Sequence, residues 1–142
     1  MAHASTATGT GTTRLVFEAP AKICALLQSA GKRMSVPQRT ILFRKGDLPK
    51  GVFLVLRGKV ALSAGDDRSR LTRIGSKGSL LGLPSTVGNR RYTLTAETLT
   101  DAEVCLIQPE QFREMLASNP VLGMAIVNIL SNEVSALRRF GS

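Results

Sequence analysis

Residues 46–82 read GDLPKGVFLVLRGKVALSAGDDRSRLTRIGSKGSLLG, and the punctuation of this stretch decides the fold. After Gly46-Asp47 comes an apolar run from Val52 to Leu56, and Arg57-Gly58 then turns the chain into a second run, Lys59 to Ser63. Gly65-Asp66-Asp67 marks another turn before Arg70 to Ile74, and Gly78 leads into Leu80-Leu81-Gly82. Arg57-Gly58 is a two-residue hairpin signal. Short strands separated by Gly and Asp turns, at spacings of roughly 8–12 residues, belong to antiparallel barrels and jelly rolls.

The same pattern continues on both sides. Strands are expected at Thr40 to Arg44, Tyr92 to Leu99 and Ala102 to Ile107, with a polar extended stretch from Lys32 to Gln38 in which Pro37 marks an edge or bend. The run TLTAETLT (93–100) alternates and carries β-branched residues suited to a pleated surface, and Thr100-Asp101 makes a tight return. A short helix fits Pro20 to Ala30, with Ile23, Leu26 and Leu27 as its apolar face and Gly31 ending it. Pro109 opens a second helix with Glu110 in its first turn, where the helix dipole favours an acid. Phe112, Met115 and Leu116 give that helix an apolar stripe.

Asn119 is positioned to cap a last helix from Pro120 to about Phe140. On it, Val127, Leu130, Val134 and Leu137 follow the three–four spacing of a coiled-coil seam, while Leu122, Ile126, Ile129 and Ala136 form an adjacent face. One face can cover the barrel while the other meets a second chain, which predicts a homodimer. A single broad face within one protomer satisfies the same pattern. The fold class expected is mainly β: a double-stranded β-helix (jelly roll) barrel over about residues 32–107, preceded by a short helix and followed by two C-terminal helices over about 109–140. It forms one domain, 15–142, behind a flexible Ala/Ser/Thr/Gly tail at 1–14.

Hydrophobic residues at 43% and charged residues at 20% of 142 are a globular balance. The uncharged stretch Val121 to Asn132 is about half of the roughly 20 residues that cross a bilayer, and MAHASTATGTGTTR has no apolar core for secretion. A cytoplasmic protein with no membrane partner is expected. Cys24 and Cys105 form no CxxC pair, and His3 is the only histidine. No metal site and no Ser-His-Asp or Cys-His constellation can be assembled, so neither a cupin-type metal centre nor an enzyme is expected. The two cysteines read as reduced thiols packing as small apolar groups.

Charge is unevenly placed. Residues 32–91 hold 14 Lys or Arg against three Asp, whereas residues 92–142 hold three Arg against six Asp or Glu. The basic barrel half favours anionic partners. Outward-facing strand residues must be polar in any case, so a merely solvated face accounts for much of this charge.

The order of the glycines and strands resembles the cyclic nucleotide-binding domain of the catabolite activator protein and other Crp/Fnr-type regulators. That resemblance implies a phosphate-binding cassette after the glycine matching Gly82. The family pattern is Gly-Glu, then small and apolar residues, then Arg followed by Ser, Thr or Ala. Backbone N–H groups and the arginine hold the cyclic phosphate, and the glutamate accepts from the ribose 2′-hydroxyl. This chain reads Gly82-Leu83-Pro84-Ser85-Thr86-Val87-Gly88-Asn89-Arg90-Arg91-Tyr92-Thr93. Leu83 stands at the glutamate position, and a hydroxyl left unpaired there costs about 1–3 kcal/mol. Tyr92 falls on the arginine position and Thr93 on the Ser/Thr position. Arg91 precedes it by one residue: in a loop a slip carries its guanidinium to the phosphate, in a strand it turns to the opposite face.

The candidate ligand-binding residues are therefore Gly82, Leu83, Ser85, Thr86, Arg90, Arg91, Tyr92 and Thr93, and the effector implied is cyclic AMP, cyclic GMP or another small anion. The purine contacts that the family draws from the last helix fall on Leu137 and Arg138, and leucine cannot bond a base edge. Three readings stay open: a cyclic-nucleotide sensor, a sensor of a different small molecule, and a degenerate jelly-roll module used for homodimerisation or protein docking. Family transcription factors continue into a helix-turn-helix. This sequence stops at Ser142, and aromatic residues are 4%, too few for a base-stacking platform, so DNA binding by this chain alone is not expected.

Overall fold

The computed structural model describes residues 17–64 and 73–141, the segment 132–141 as helical backbone. The expected tail at 1–14, the turn at Gly65-Asp66-Asp67 and the first three residues of the strand expected at Arg70 to Ile74 lie outside the described residues. The elements are β1 (Phe17–Glu18), α1 (Ala21–Ala30), β2 (Lys32–Val36), β3 (Ile41–Phe43), β4 (Val52–Arg57), β5 (Val60–Ser63), β6 (Arg73–Gly75) and β7 (Ser79–Leu81). They continue with α2 (Leu83–Gly88), β8 (Thr95–Thr98), β9 (Ala102–Ile107), α3 (Pro109–Ser118) and α4 (Pro120–Gly141). The strands form a five-stranded sheet in the order β1-β7-β4-β9-β2 and a four-stranded sheet in the order β3-β8-β5-β6. All pairings are antiparallel, giving the jelly-roll-like fold with one N-terminal and two C-terminal helices.

Arg57-Gly58 does not close a hairpin. β4 pairs with β9 and β7, whereas β5 pairs with β8 and β6, so the chain crosses from one sheet to the other at Gly58. The return at Thr100-Asp101 crosses back beside it. The Leu99 N–H donates to the Lys59 carbonyl at 2.8 Å, and the Lys59 N–H donates to Thr100 Oγ1 at 3.1 Å. A continuous antiparallel ribbon, β4–β5 against β8–β9, thus bends once and supplies the middle of both sheets. A local turn signal cannot distinguish this corner from a hairpin, because both need the same backbone.

The β4 run VFLVL lacks alternation because both its faces are covered. Phe53 and Val55 point between the sheets with Phe43, Leu62, Leu81 and Val104. Val52 and Leu54 point the other way, into a second layer with Leu27, Cys105, Phe112, Leu122 and Ile126 from the helices and β9. Asn119 caps α4 as expected, its Oδ1 accepting from the Leu122 N–H at 3.1 Å. On α4, Leu122 and Ile126 are buried while Val127 is 55% exposed and Leu130 is half-buried. The side chains of Val134 and Leu137 lie outside the described residues. No single helix among the described residues is long and apolar enough to cross a membrane.

The strand expected at Tyr92 to Leu99 begins only at Thr95. Tyr92 is instead stitched to the loop before β4: its N–H donates to the Asp47 carbonyl at 2.9 Å, and its carbonyl accepts from the Gly46 N–H at 2.8 Å. The ladder cannot form where the backbone groups are committed to that loop.

Burial pushes up both the Cys24 and Cys105 thiols and the Tyr92 phenol, desolvation being the largest cause in each. Each group holds its proton more tightly folded than unfolded. The stability they contribute is complete below their ordinary values, about 9 for a thiol, and is lost as pH rises through the raised folded values. The thermal midpoint measured between pH 7 and 11 is therefore expected to decline above about pH 9, with a smaller decline in Cys105→Ala. A flat profile would contradict this.

Candidate functional site

A cavity of about 370 Å³ opens between the sheets where β6, β7 and the segment after Gly82 converge. Its walls are mainly apolar, from Phe17, Phe43, Leu62, Leu80, Leu81 and Leu94. Gly82, Pro84, Ser85, Tyr92 and Thr93 form the side contributed by the segment, and Ala64, just after β5, and Arg73 of β6 form the other. A concave, mostly apolar cleft with a few polar groups is the usual form of a small-molecule site.

Four of the eight expected binding residues line it: Gly82, Ser85, Tyr92 and Thr93. The other four do not. Leu83 is completely buried in the layer beneath the helices, with Phe112, Leu122 and Ile126. Thr86 is also buried. Arg90 and Arg91 are exposed, and Arg91 Nη1 donates to the Gly46 carbonyl at 2.8 Å. The contact of Arg91 is thus with the loop before β4, away from the cavity wall.

Tyr92, at the position where an arginine was expected to meet phosphate, has a structural role. Its ring stacks on Phe43 with centroids 3.9 Å apart. Its hydroxyl donates to the Gly51 carbonyl at 2.8 Å and accepts from the N–H groups of Lys50 at 2.8 Å and Gly51 at 3.1 Å. The hydroxyl is fully occupied and only the ring borders the cavity. Ser85 Oγ donates to the Arg91 carbonyl at 3.2 Å, pinning the loop to α2, and retains acceptor capacity towards a ligand.

The residue that the sequence reading missed is Arg73. It is directly opposite Leu62 in the β5–β6 ladder. Directly opposed residues share a face of a sheet, and Leu62 is buried in the core between the sheets. Arg73 therefore projects inward, and its Nε is buried without a hydrogen-bond partner among the described residues. No group of three or more His, Cys, Asp or Glu among the described residues could hold a metal ion.

A family model described as cyclic nucleotide-binding domain matches residues 33–119, more than half of the sequence. A protein of Haemophilus influenzae, described as uncharacterized, is 24% identical over 102 residues, covering 70% of this chain and 79% of the relative. The catabolite activator protein of Thermus thermophilus superposes with a TM-score of 0.72 at 22% identity, over 82% of this chain and 55% of that one. The chain thus spans about half the length of that regulator. A protein from a cyclic-GMP-dependent signalling pathway that regulates bacterial phytopathogenesis superposes with a TM-score of 0.74 at 18% identity, over 84% of this chain and 96% of that one. At these identities the structural likeness speaks for the fold.

Proposed function

Because the chain belongs to the cyclic nucleotide-binding domain family, we propose that it is a non-catalytic, ligand-sensing regulatory domain that takes a small anionic effector into the cavity and signals through α4. The observation that carries this reading is the cavity itself: it lies between the sheets, at the segment where family members hold their ligand, and remains open. The route outward runs through Leu83. This residue leaves the cavity wall at Gly82 and packs in the same layer as Leu122 and Ile126 of α4. A ligand that repositions the 82–94 segment moves Leu83, and α4 must then adjust its seat. Only a difference in affinity between the two seats of α4 shifts their populations.

Cyclic AMP and cyclic GMP are the first effectors to test, although the segment has neither the family's acid at 83 nor its arginine at 92. The test is a thermal-shift screen of the full chain with both cyclic nucleotides and with other small anions. An effector at about 100 times its dissociation constant adds roughly 2.7 kcal/mol, a rise of about 5–10 °C for a domain of this size. No shift with any of them would favour the second reading, a module that docks to itself or to another protein without a ligand.

The exposed apolar residues Val121, Met124 and Val127 on α4 favour a second copy of the chain as partner in either reading. Met124 and Val127 line a shallow apolar cleft that also includes Val87 and Leu130. In a homodimer this face would continue the seam expected through Val134 and Leu137. Light scattering on a dilution series is expected to give twice the monomer mass for the wild type. Val127→Glu, which places a charge in the seam, is expected to give the monomer mass with a lowered thermal midpoint, because a partner that binds only the folded chain stabilises it; an unchanged mass would remove α4 as the interface.

A further inference from the structure

We infer that Arg73 is the anion anchor of this domain, binding from β6 the charged head of a ligand whose body is apolar, a carboxylate or a single phosphate on a hydrocarbon or aromatic frame. This rests on the sensing role proposed above and specifies its chemistry. It also moves the positive charge from the loop at 90–92, where family resemblance would look for it, to the opposite wall.

Three observations carry it. First, β6 is inverted: Arg73 faces the core opposite Leu62, while Ile74, opposite Ala61, is 50% exposed. A one-residue slip of β6 would exchange the two, burying the isoleucine and releasing the arginine to water. The observed register gives up that hydrophobic gain, so an inward cation needs its own explanation. Second, Arg73 Nε is buried with no partner among the described residues. The residue as a whole is half-buried, and a buried donor is ordinarily paired, because an unpaired one loses its hydration without replacement. Third, among the described residues the cavity wall includes no Asp or Glu to satisfy it. Among the described residues the remaining lining consists of apolar side chains and the hydroxyls of Ser85 and Thr93, since that of Tyr92 is occupied.

The ligand that complements such a wall has one compact negative head and an apolar remainder. A cationic ligand would be repelled, and a sugar with several hydroxyls would leave most of them against hydrocarbon. The basic barrel half adds a field that draws anions towards the site.

The experiment uses the full chain and four probes: octanoate and 1-naphthoate for carboxylates, phenyl phosphate for phosphates, and cyclic AMP for the family ligand. The wild type is expected to be stabilised by a carboxylate or by phenyl phosphate, with uncharged 1-octanol inactive. Arg73→Gln is expected to bind that probe roughly 10- to 100-fold more weakly, Arg73→Lys to fall between, and Arg113→Gln, exposed on α3, to match the wild type. Without ligand, Arg73→Leu is expected to raise the thermal midpoint by about 2–6 °C, because an unpaired donor is replaced by an apolar side chain.

Equal binding by wild type and Arg73→Gln would overturn the anchor while leaving the sensing role intact. Loss of binding in Arg91→Gln, with Arg73→Gln unaffected, would return the charge to the loop. A lowered midpoint in ligand-free Arg73→Leu would mean that Arg73 holds the fold together, and would also overturn the anchor. If none of the four probes, nor cyclic GMP, shifts the wild type, the sensing role fails and the anchor fails with it.

Discussion

Tyr92→Ala is expected to lower the unfolding free energy by about 3–5 kcal/mol, the range for emptying a buried aromatic site. The phenol is 2% exposed and stacks on Phe43, while its hydroxyl satisfies one carbonyl and two N–H groups in the loop before β4. The fit is close on the far side too: a Cβ on Gly82 would lie 2.7 Å from Tyr92 Cε1. Tyr92→Phe separates the two contributions. The ring stays, the Lys50 and Gly51 groups lose their partner, and the cost falls to about 1–3 kcal/mol. Tyr92→Arg, which restores the family's residue, is expected to destabilise as strongly as alanine. It removes the ring and sets a guanidinium against Phe43 without recreating a phosphate site. Urea unfolding of the three variants checks the order. A Tyr92→Phe variant as stable as wild type would show that the hydroxyl bonds add nothing net, and a stable Tyr92→Arg would show that the segment can relax around a charge.

Gly58→Ala is expected to cost about 2–4 kcal/mol, combining left-handed strain with overlap at a backbone that cannot retreat. Gly58 has φ +93°, and a Cβ there would lie 2.5 Å from the Asp101 carbonyl oxygen and 2.8 Å from Ala102 Cα. Both belong to the second arm of the bent ribbon, held by the Lys59–Leu99 and Lys59–Thr100 bonds. Moving either arm breaks the crossing on which both sheets depend. Gly46→Ala is the control: its φ is +94°, but nothing lies within 4 Å of the added methyl. It is expected to cost only the conformational strain, about 1–2 kcal/mol. Equal losses in the two variants, measured by chemical denaturation, would show that the close approach at the corner has no weight.

Most of the architecture was legible in advance because its signals are local. Turn residues at 57–58 and 100–101, the Thr-rich run at 93–100, the prolines opening α3 and α4 and the Asn119 cap all act within a few residues. The site was only half legible. Gly82, Ser85, Tyr92 and Thr93 could be assigned to it from the order of the segment, since chain continuity brings neighbours together. Leu83 departs from the wall because successive residues at the start of a helix point in different directions, and its bulk suits the layer beneath α4. Arg90 and Arg91 follow the αL residue Asn89, with φ +54°, which turns the loop outwards.

Arg73 shows where local reading stops. In LTRI (71–74), Leu71 and Ile74 are apolar and Thr72 and Arg73 polar, a pattern that alternation alone cannot assign to one face. The residue types and turn chemistry of this chain were enough to specify short antiparallel strands, three terminal helices' worth of apolar stripes and a basic barrel half. Tertiary pairing alone decided that the ribbon bends at Gly58 instead of folding back as a hairpin, and that a phenol closes the place expected for a guanidinium. It also set Leu62 opposite Arg73, turning a charge that looked solvated towards the interior. The reason is that a strand's two faces differ by a single residue of register, and register is a property of the partner strand.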